Sequence, residues 1–135
     1  MNTFTLHLQD AVRTERIDGV VSFVGHDASG SFGILAGHAR LLTVLDFGLA
    51  RFRLTDKPWE YLALPEAVLY FADDDLTICT RRFLRDDDYE RITRDLDERL
   101  RVEETELRGI KDSVHRLQEE LIRRLWQMGR RGGEA

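Results

Sequence analysis

Apolar and polar residues alternate with a period near two along the first part of the chain, up to about Arg85. Phe4, Leu6 and Leu8 alternate with Thr3, Thr5 and His7, the pattern of a strand buried on one face. Residues 17–24 are rich in β-branched types, and Asp18-Gly19 within them predicts a bulge or bend. Short apolar runs follow at 30–35 and 41–45. Residues 48–54 alternate, with Leu49 and Phe52 apolar and Arg51 and Arg53 polar, and runs at 59–64, 67–72 and 76–80 complete the series. The breaks between runs hold turn residues: Asp27-Ala28-Ser29-Gly30, Asp46-Phe47-Gly48, Thr55-Asp56-Lys57-Pro58 and Asp73-Asp74-Asp75. Many short strands at close spacing, with no helix between them, predict an antiparallel β sandwich of about eight to ten strands.

Past Arg85 the period changes. No proline occurs from Asp86 to Arg131, and Gly109 is the first glycine before Gly129. Apolar residues fall at Tyr89, Ile92, Leu96, Leu100, Leu107, Ile110, Val114, Leu117, Leu121, Leu125 and Met128, in steps of three and four apart from one jump across Glu103. This is a helical stripe close to a heptad repeat. Asp86, Asp87 and Asp88 offer N-caps and negative charge at its start, and Arg123, Arg124, Arg130 and Arg131 place positive charge at its end. A hairpin would need a turn, and the only residue suited to one in the middle is Gly109. The stripe also keeps its phase across the gap, which a turn has no reason to preserve. One long helix is therefore expected rather than two. The expected organisation is a sandwich over residues 1–85, a helical region over 86–131, and a frayed terminus over 132–135 closed by Gly132-Gly133. A stripe of this length cannot fold back onto a small sandwich everywhere, so part of it must face another chain.

Composition narrows the function. The chain is 42% hydrophobic and 33% charged with a net charge of −5, which argues against nucleic acid, since phosphate binding draws on Lys and Arg. The single cysteine, Cys79, cannot form an internal disulfide and sits in the alternating run Leu76-Thr77-Ile78-Cys79-Thr80, so it is read as a structural thiol. No apolar run approaches the ~20 residues that span a bilayer. The first residues lack the basic-then-apolar pattern of a secretory signal. His26 and His38 do not have the spacing of a metal site on a β barrel. Gly30-Ser31-Phe32-Gly33 is followed by no lysine-serine or lysine-threonine pair and is no phosphate loop. No nucleophile-elbow pattern is present. Catalytic residues, cofactors and metals are thus not expected.

The run Gly30-Ser31-Phe32-Gly33-Ile34-Leu35-Ala36-Gly37-His38-Ala39-Arg40-Leu41-Leu42 resembles the loop-and-strand signature of F-type ATP synthase epsilon subunits. In that family the pattern reads roughly Gly-x-x-Gly-Ile-Leu-Pro-Gly-His-x-Pro-Leu-Leu. The two glycines, Ile34, Leu35, Gly37, His38, Leu41 and Leu42 match, while Ala36, Arg40 and Asp46 stand where proline is usual. The runs at 4–8, 20–25, 48–53 and 61–64 are similar to strands of the same family, although Pro65-Glu66-Ala67-Val68 replaces its usual Ser-Gly-Gly-Phe turn. These departures suit an alternate, N-type branch pumping sodium or protons.

The resemblance implies a non-catalytic rotor part of the central stalk, linking the gamma subunit to the c-ring and lying peripherally on the cytoplasmic face of the membrane. Apolar sandwich residues would bury against gamma. Gly30, Gly33 and Gly37 would shape the loop through positive φ and close approach of strands, and Ser31, His38 and Arg40 would face the ring. The tail would be regulatory and reach the alpha and beta subunits, with Arg123, Arg124, Arg130 and Arg131 meeting an acidic patch on the catalytic beta subunits in a contact weakened by salt. Some relatives bind ATP through an Ile/Leu-Asp-x-x-Arg-Ala motif. Here Asp87-Asp88-Tyr89-Glu90-Arg91-Ile92 keeps only the Asp and the Arg, which argues against ATP binding. Two other readings compete: a self-associating module with a coiled-coil tail, and a small β-barrel ligand-binding protein with His26 and His38 in its pocket.

Overall fold

The structure, a computed structural model, describes residues 2–133, with residues 130–133 by backbone alone. The described strands are β1 (Phe4–Gln9), β2 (Thr14–Asp27), β3 (Gly30–Ile34), β4 (Leu41–Leu45), β5 (Gly48–Leu54), β6 (Glu60–Leu64), β7 (Ala67–Ala72), β8 (Asp75–Thr80) and β9 (Leu84–Asp86). They are followed by α1 (Tyr89–Asp95), a π turn (Leu96–Leu100) and α2 (Arg101–Gly133). No turn interrupts this helical segment and Gly109 lies inside α2, as the unbroken phase of the stripe requires. Packing divides the chain into a compact unit ending at Arg101 and a second beginning at Val102. Of the frayed end expected at 132–135, Gly132 and Gly133 continue α2, and residues 134 and 135 lie outside the described residues.

The strands pair in the order β1-β8-β7-β4-β2-β5-β6-β9, with β3 on β2 and β1 also on β2. One pair departs from the antiparallel expectation, since β1 runs parallel to β8 with Leu6 opposite Leu76 and Leu8 opposite Ile78. The hairpin between β7 and β8 turns at Asp73-Asp74, both with positive φ (52° and 58°), the geometry of a two-residue type I′ turn. The Asp73-Asp74-Asp75 run is therefore a turn.

β2 holds the two halves of the sandwich together. Its first half pairs with β1 and its second with β3 and β5. Its buried residues Ile17, Val20 and Phe23 are three apart, a spacing that an unbroken strand would send to alternate faces. Two register shifts resolve the conflict. Phe4 and Leu6 face Val20 and Ile17 across a bulge at Asp18-Gly19, where Gly19 has φ +74°. A second irregularity lies between Val20 and Ser22 against β5. The extra residue at each site bends and twists the strand, so that all three apolar side chains point inward.

The main core draws on every strand up to β8 and on Phe83, with Phe4, Phe23, Phe52, Phe71 and Phe83 fully enclosed and Phe4 edge-on to Phe71 at 5.6 Å. Leu49, next to the inward Ala50, faces the opposite side from Phe52 and joins a second, smaller cluster. There Ile92, Leu96 and Leu100 bury against Ala63 of β6, with Phe47, Tyr61 and Leu84 around them. In an α-helix residues four apart drift about 40° around the axis, so three such residues in a row would not share one line. The wider π turn between Leu96 and Leu100, closed by the Arg101 N–H donating to the Leu96 carbonyl, takes that drift back. Asp88 caps α1 by accepting from the Arg91 N–H at 3.1 Å.

Close approach between strands is needed at Gly25. A Cβ there would meet Phe23 Cε1 at 2.9 Å, Leu45 Cδ2 at 3.0 Å and Phe32 Cζ at 3.2 Å. Phe23 and Leu45 are core residues with no room to retreat. Gly25→Ala should therefore destabilise by about 1–3 kcal/mol, seen as a lower denaturant midpoint with an unchanged slope; an unaltered midpoint would show that the core yields there.

Candidate functional site

The side chains expected to form one contact loop separate into two places. Ser31 is the second residue of β3, opposite His26, beside the β2–β3 turn; His38 and Arg40 lie beyond its other end. About 10 Å of strand lies between Ser31 and Ile34 alone. At the Ser31 end, Asp27 accepts from the Ser29 N–H at 2.9 Å and from Thr43 Oγ1 at 2.7 Å. The hydrogen bonds from the Ser29 and Thr43 hydroxyls hold the Asp27 carboxyl below its usual range. The His26 ring pairs with Asp46 at 3.3 Å, and the Asp46 N–H donates to the His26 carbonyl at 3.0 Å. His26, Ser31 and Asp46 rim a cavity of about 270 Å³ floored by Leu45, Ala50 and Leu64. The result is a polar end built from two loops and braced from β4.

The other end is tied differently. Leu35-Ala36-Gly37-His38 is a turn closed by the His38 N–H donating to the Leu35 carbonyl at 3.1 Å, with Gly37 at φ +82°. The Gly37 N–H donates to Asp74 at 2.7 Å, which fastens the loop to the β7–β8 turn. The His38 ring donates from Nδ1 to the Ala39 carbonyl at 2.7 Å and stands edge-on to Phe71 at 5.8 Å. His38 and His26 thus have different partners at different ends of the sandwich. Gly30 and Gly37 have positive φ, but Gly33 does not, and a Cβ there would make ordinary contact at 3.7 Å. The close approach expected at Gly33 is found at Gly25, which the motif does not single out.

Between these ends lies an apolar surface that alternation alone hides. In the β4–β7 pair Leu42 faces Tyr70 and Val44 faces Val68. All four are exposed, Leu42 to 70%, although their neighbours Leu45, Leu69 and Phe71 are buried. Cys79, opposite Val68 on β8, is exposed on the same face. Cross-strand apolar pairs normally bury one another's flanks against a core; here they form a patch suited to a partner.

The helical segment starts from an ionic clamp. Arg91 pairs with Asp86 through both Nε and Nη2, the latter at 2.7 Å, and reaches Asp87 at 3.8 Å. The Arg that survives from the nucleotide-binding pattern is thereby engaged within the chain. Beyond it, Ile110, Val114, Leu117, Leu121, Leu125 and Met128 are exposed along α2. Arg124 pairs with Glu120 at 2.8 Å one turn back, and Arg123 is exposed; the side chains of Arg130 and Arg131 lie outside the described residues. Among the described residues no helix is long and apolar enough to cross a membrane.

Comparison with known proteins gives a consistent result. Residues 4–86 match the family described as ATP synthase, Delta/Epsilon chain, beta-sandwich domain. The ATP synthase epsilon chain 2 of Cereibacter sphaeroides is 33% identical over 109 residues, which is 80% of this chain and 75% of that one. A chain in the structure of the Euglena gracilis mitochondrial ATP synthase (OSCP/F1/c-ring) has a TM-score of 0.59 at 17% identity, covering 73% of this chain and 64% of that one. A chain in the central stalk and c-ring structure of the Tetrahymena thermophila mitochondrial ATP synthase has a TM-score of 0.53 at 15% identity, covering 62% and 69%. At such identities the structural likeness speaks for the fold.

The Asp86 clamp sets a pH dependence. Hydrogen bonds from Arg91, then from the Asp88 N–H, hold the Asp86 carboxyl far below its ordinary value of 3.8. A carboxyl depressed on folding contributes stability that is complete above 3.8 and is lost as pH falls toward the folded value. Asp86→Asn should lower the thermal midpoint by a few degrees at neutral pH, and the gap to the parent chain should close in steps below 3.8. A gap that stays constant into strong acid would show that the clamp adds nothing.

Proposed function

The chain belongs to the delta/epsilon family of ATP synthase subunits as an F-type epsilon subunit, and from that premise we propose that it joins the gamma subunit to the c-ring of a proton- or sodium-translocating complex. An epsilon subunit is a non-catalytic part of the synthase, so its work is mechanical. The observation that carries the proposal is the bare apolar patch of Leu42, Val44, Val68 and Tyr70, four exposed residues facing one another on two paired strands. Covering it removes apolar area from water at about 25 cal/mol per Å², and the gamma subunit is the partner proposed to cover it.

The ring is proposed to meet the polar end at Ser31, where two loops converge beside His26 and Asp46. Polar loops on a ring need hydrogen-bonding partners rather than apolar ones. His38 and Arg40 are the weaker ring contacts of the three residues the motif singles out, because the loop that carries them is drawn to Asp74 and its histidine to Ala39 and Phe71. The exposed stripe of α2, with Arg123, Arg124, Arg130 and Arg131 at its end, is proposed to reach the alpha and beta subunits and to restrain hydrolysis. In this arrangement the chain is peripheral, on the cytoplasmic face of the membrane. The missing prolines of the motif, together with likeness to a relative named epsilon chain 2, support the alternate N-type branch.

Cys79 is a built-in probe of the gamma contact. It should react with a maleimide in the free chain and become at least about tenfold slower in the assembled complex. Leu42→Asp should cost assembly without unfolding the head, since Leu42 is exposed. Equal labelling in both states, with full recovery of the Leu42→Asp chain alongside gamma, would place gamma elsewhere. For the ring, a cysteine placed at Ser31 should cross-link to a c subunit and one placed at His38 should not; the reverse yield would exchange the two ends.

A further inference from the structure

Arg51 and Arg53 project from the outer face of β5, two residues and therefore about 7 Å apart. Both guanidinium groups lie over the ring of Trp59, at 4.5 Å and 5.2 Å from its centroid. Elsewhere on the head, Arg13, Arg16, Arg85 and Arg91 each hold a carboxylate. Among the described residues neither Arg51 nor Arg53 does. Two like charges gathered on one indole repel each other. Stacking fixes the planes of the guanidinium groups and leaves their N–H edges free to donate.

The surroundings add a second feature. Tyr61 stands opposite Arg51 in the β5–β6 register and packs edge-on against Tyr89 of α1 at 5.3 Å. Arg51, Tyr61 and Tyr89 border a cavity of about 200 Å³ that continues over Val24 and Leu49 as far as His26 and Ser31, so the surface adjoins the polar end of the head. This is room for one large side chain. Arginine, tryptophan and tyrosine gathered at one place are the composition of an energetic centre of a protein interface. The patch lies on β5 and β6, on different strands from the apolar patch of β4 and β7.

We propose that Arg51, Arg53 and Trp59 form a docking surface for an acidic polypeptide segment of another subunit of the complex. The segment would place two carboxylates about 7 Å apart, as alternate residues of a strand or residues one helical turn apart do, and seat one apolar side chain beside Tyr61 and Tyr89. Each carboxylate takes charge-assisted N–H bonds from one guanidinium, which also relieves the repulsion between the two. An acidic chain disfavours nucleic acid. The identity of the partner as a neighbouring subunit rests on membership in the complex; the chemistry of the surface does not.

A photo-cross-linking residue placed at Tyr61 in the complete, assembled complex tests the proposal. The expected product is a peptide of another subunit carrying at least two Asp or Glu near the cross-link. Arg51→Glu with Arg53→Glu should lower its yield by at least about tenfold, while Arg51→Lys with Arg53→Lys should keep part of it. Recovery of each variant with gamma and the ring, and an unchanged thermal midpoint, separates failure here from failure of assembly or folding. Three results would overturn the proposal: no cross-linked peptide in an intact complex, a peptide without acidic residues, or a yield indifferent to charge reversal. Binding of a single-stranded oligonucleotide by the free chain, lost in the charge-reversed variant, would do the same in favour of nucleic acid.

Discussion

The head depends on one strand doing two jobs. β2 is long enough to pair with β1 along its first half and with β3 and β5 along its second, and it can do so only because it bends. The bends come from inserted residues, at Asp18-Gly19 and again after Val20, each of which resets the alternation of faces. Without them, Val20 would leave the core when Ile17 and Phe23 entered it. The closed circuit β1-β8-β7-β4-β2 follows from the same device, since β2 must return to β1 at one end while touching β4 through Asp27 and Leu45 at the other. Gly25 belongs to this constraint, because the strand passes Phe23, Phe32 and Leu45 too closely for any side chain.

A second consequence runs through β6. Its residues Leu62, Ala63 and Leu64 are all buried, which means that both of its faces are covered. Leu62 and Leu64 enter the main core, and the small Ala63 between them leaves space for Ile92, Leu96 and Leu100. The start of the helical segment is thus part of the head, secured by three apolar residues, the Asp88 cap and the Asp86–Arg91 clamp. Past Leu100 the apolar residues of the stripe are exposed from Ile110 on. The same periodicity therefore anchors the segment at its start and presents an exposed apolar stripe beyond it.

Local pattern made most of this legible. Strands show as runs of period two, the β2 bulge as Asp-Gly inside an apolar stretch, the β7–β8 turn as three aspartates, and the unbroken helix as a stripe that keeps phase. What stayed hidden needed distant partners. β9 is three residues long and exists because Leu84 and Arg85 pair with Ala63 and Leu62. The parallel β1–β8 pair joins segments about seventy residues apart, beyond the reach of any local period. The π turn answers to the surface of β6 and not to the helix sequence. For the expected contact residues, the glycine motif runs through a whole strand, so nearness in sequence is not nearness in space. A five-residue strand separates Ser31 from His38 and Arg40.

Exposure gives the head its direction. Alternation in a sandwich normally sends polar residues outward, and β5 and β1 largely obey. β4 and β7 do not, because both of their faces are apolar, which is the composition of strands covered on two sides. One cover is the core; the other is absent from the chain itself. The β2–β3 end carries instead aspartate, serine and histidine braced by one another, a surface that stays soluble alone and can exchange its water for polar loops. A rotor coupling needs both kinds of contact. The apolar one resists shear because sliding would expose oil to water, while the polar one depends on aligned hydrogen bonds. In the arrangement proposed above, placing them on different parts of one sandwich would let a single small subunit hold two partners at once.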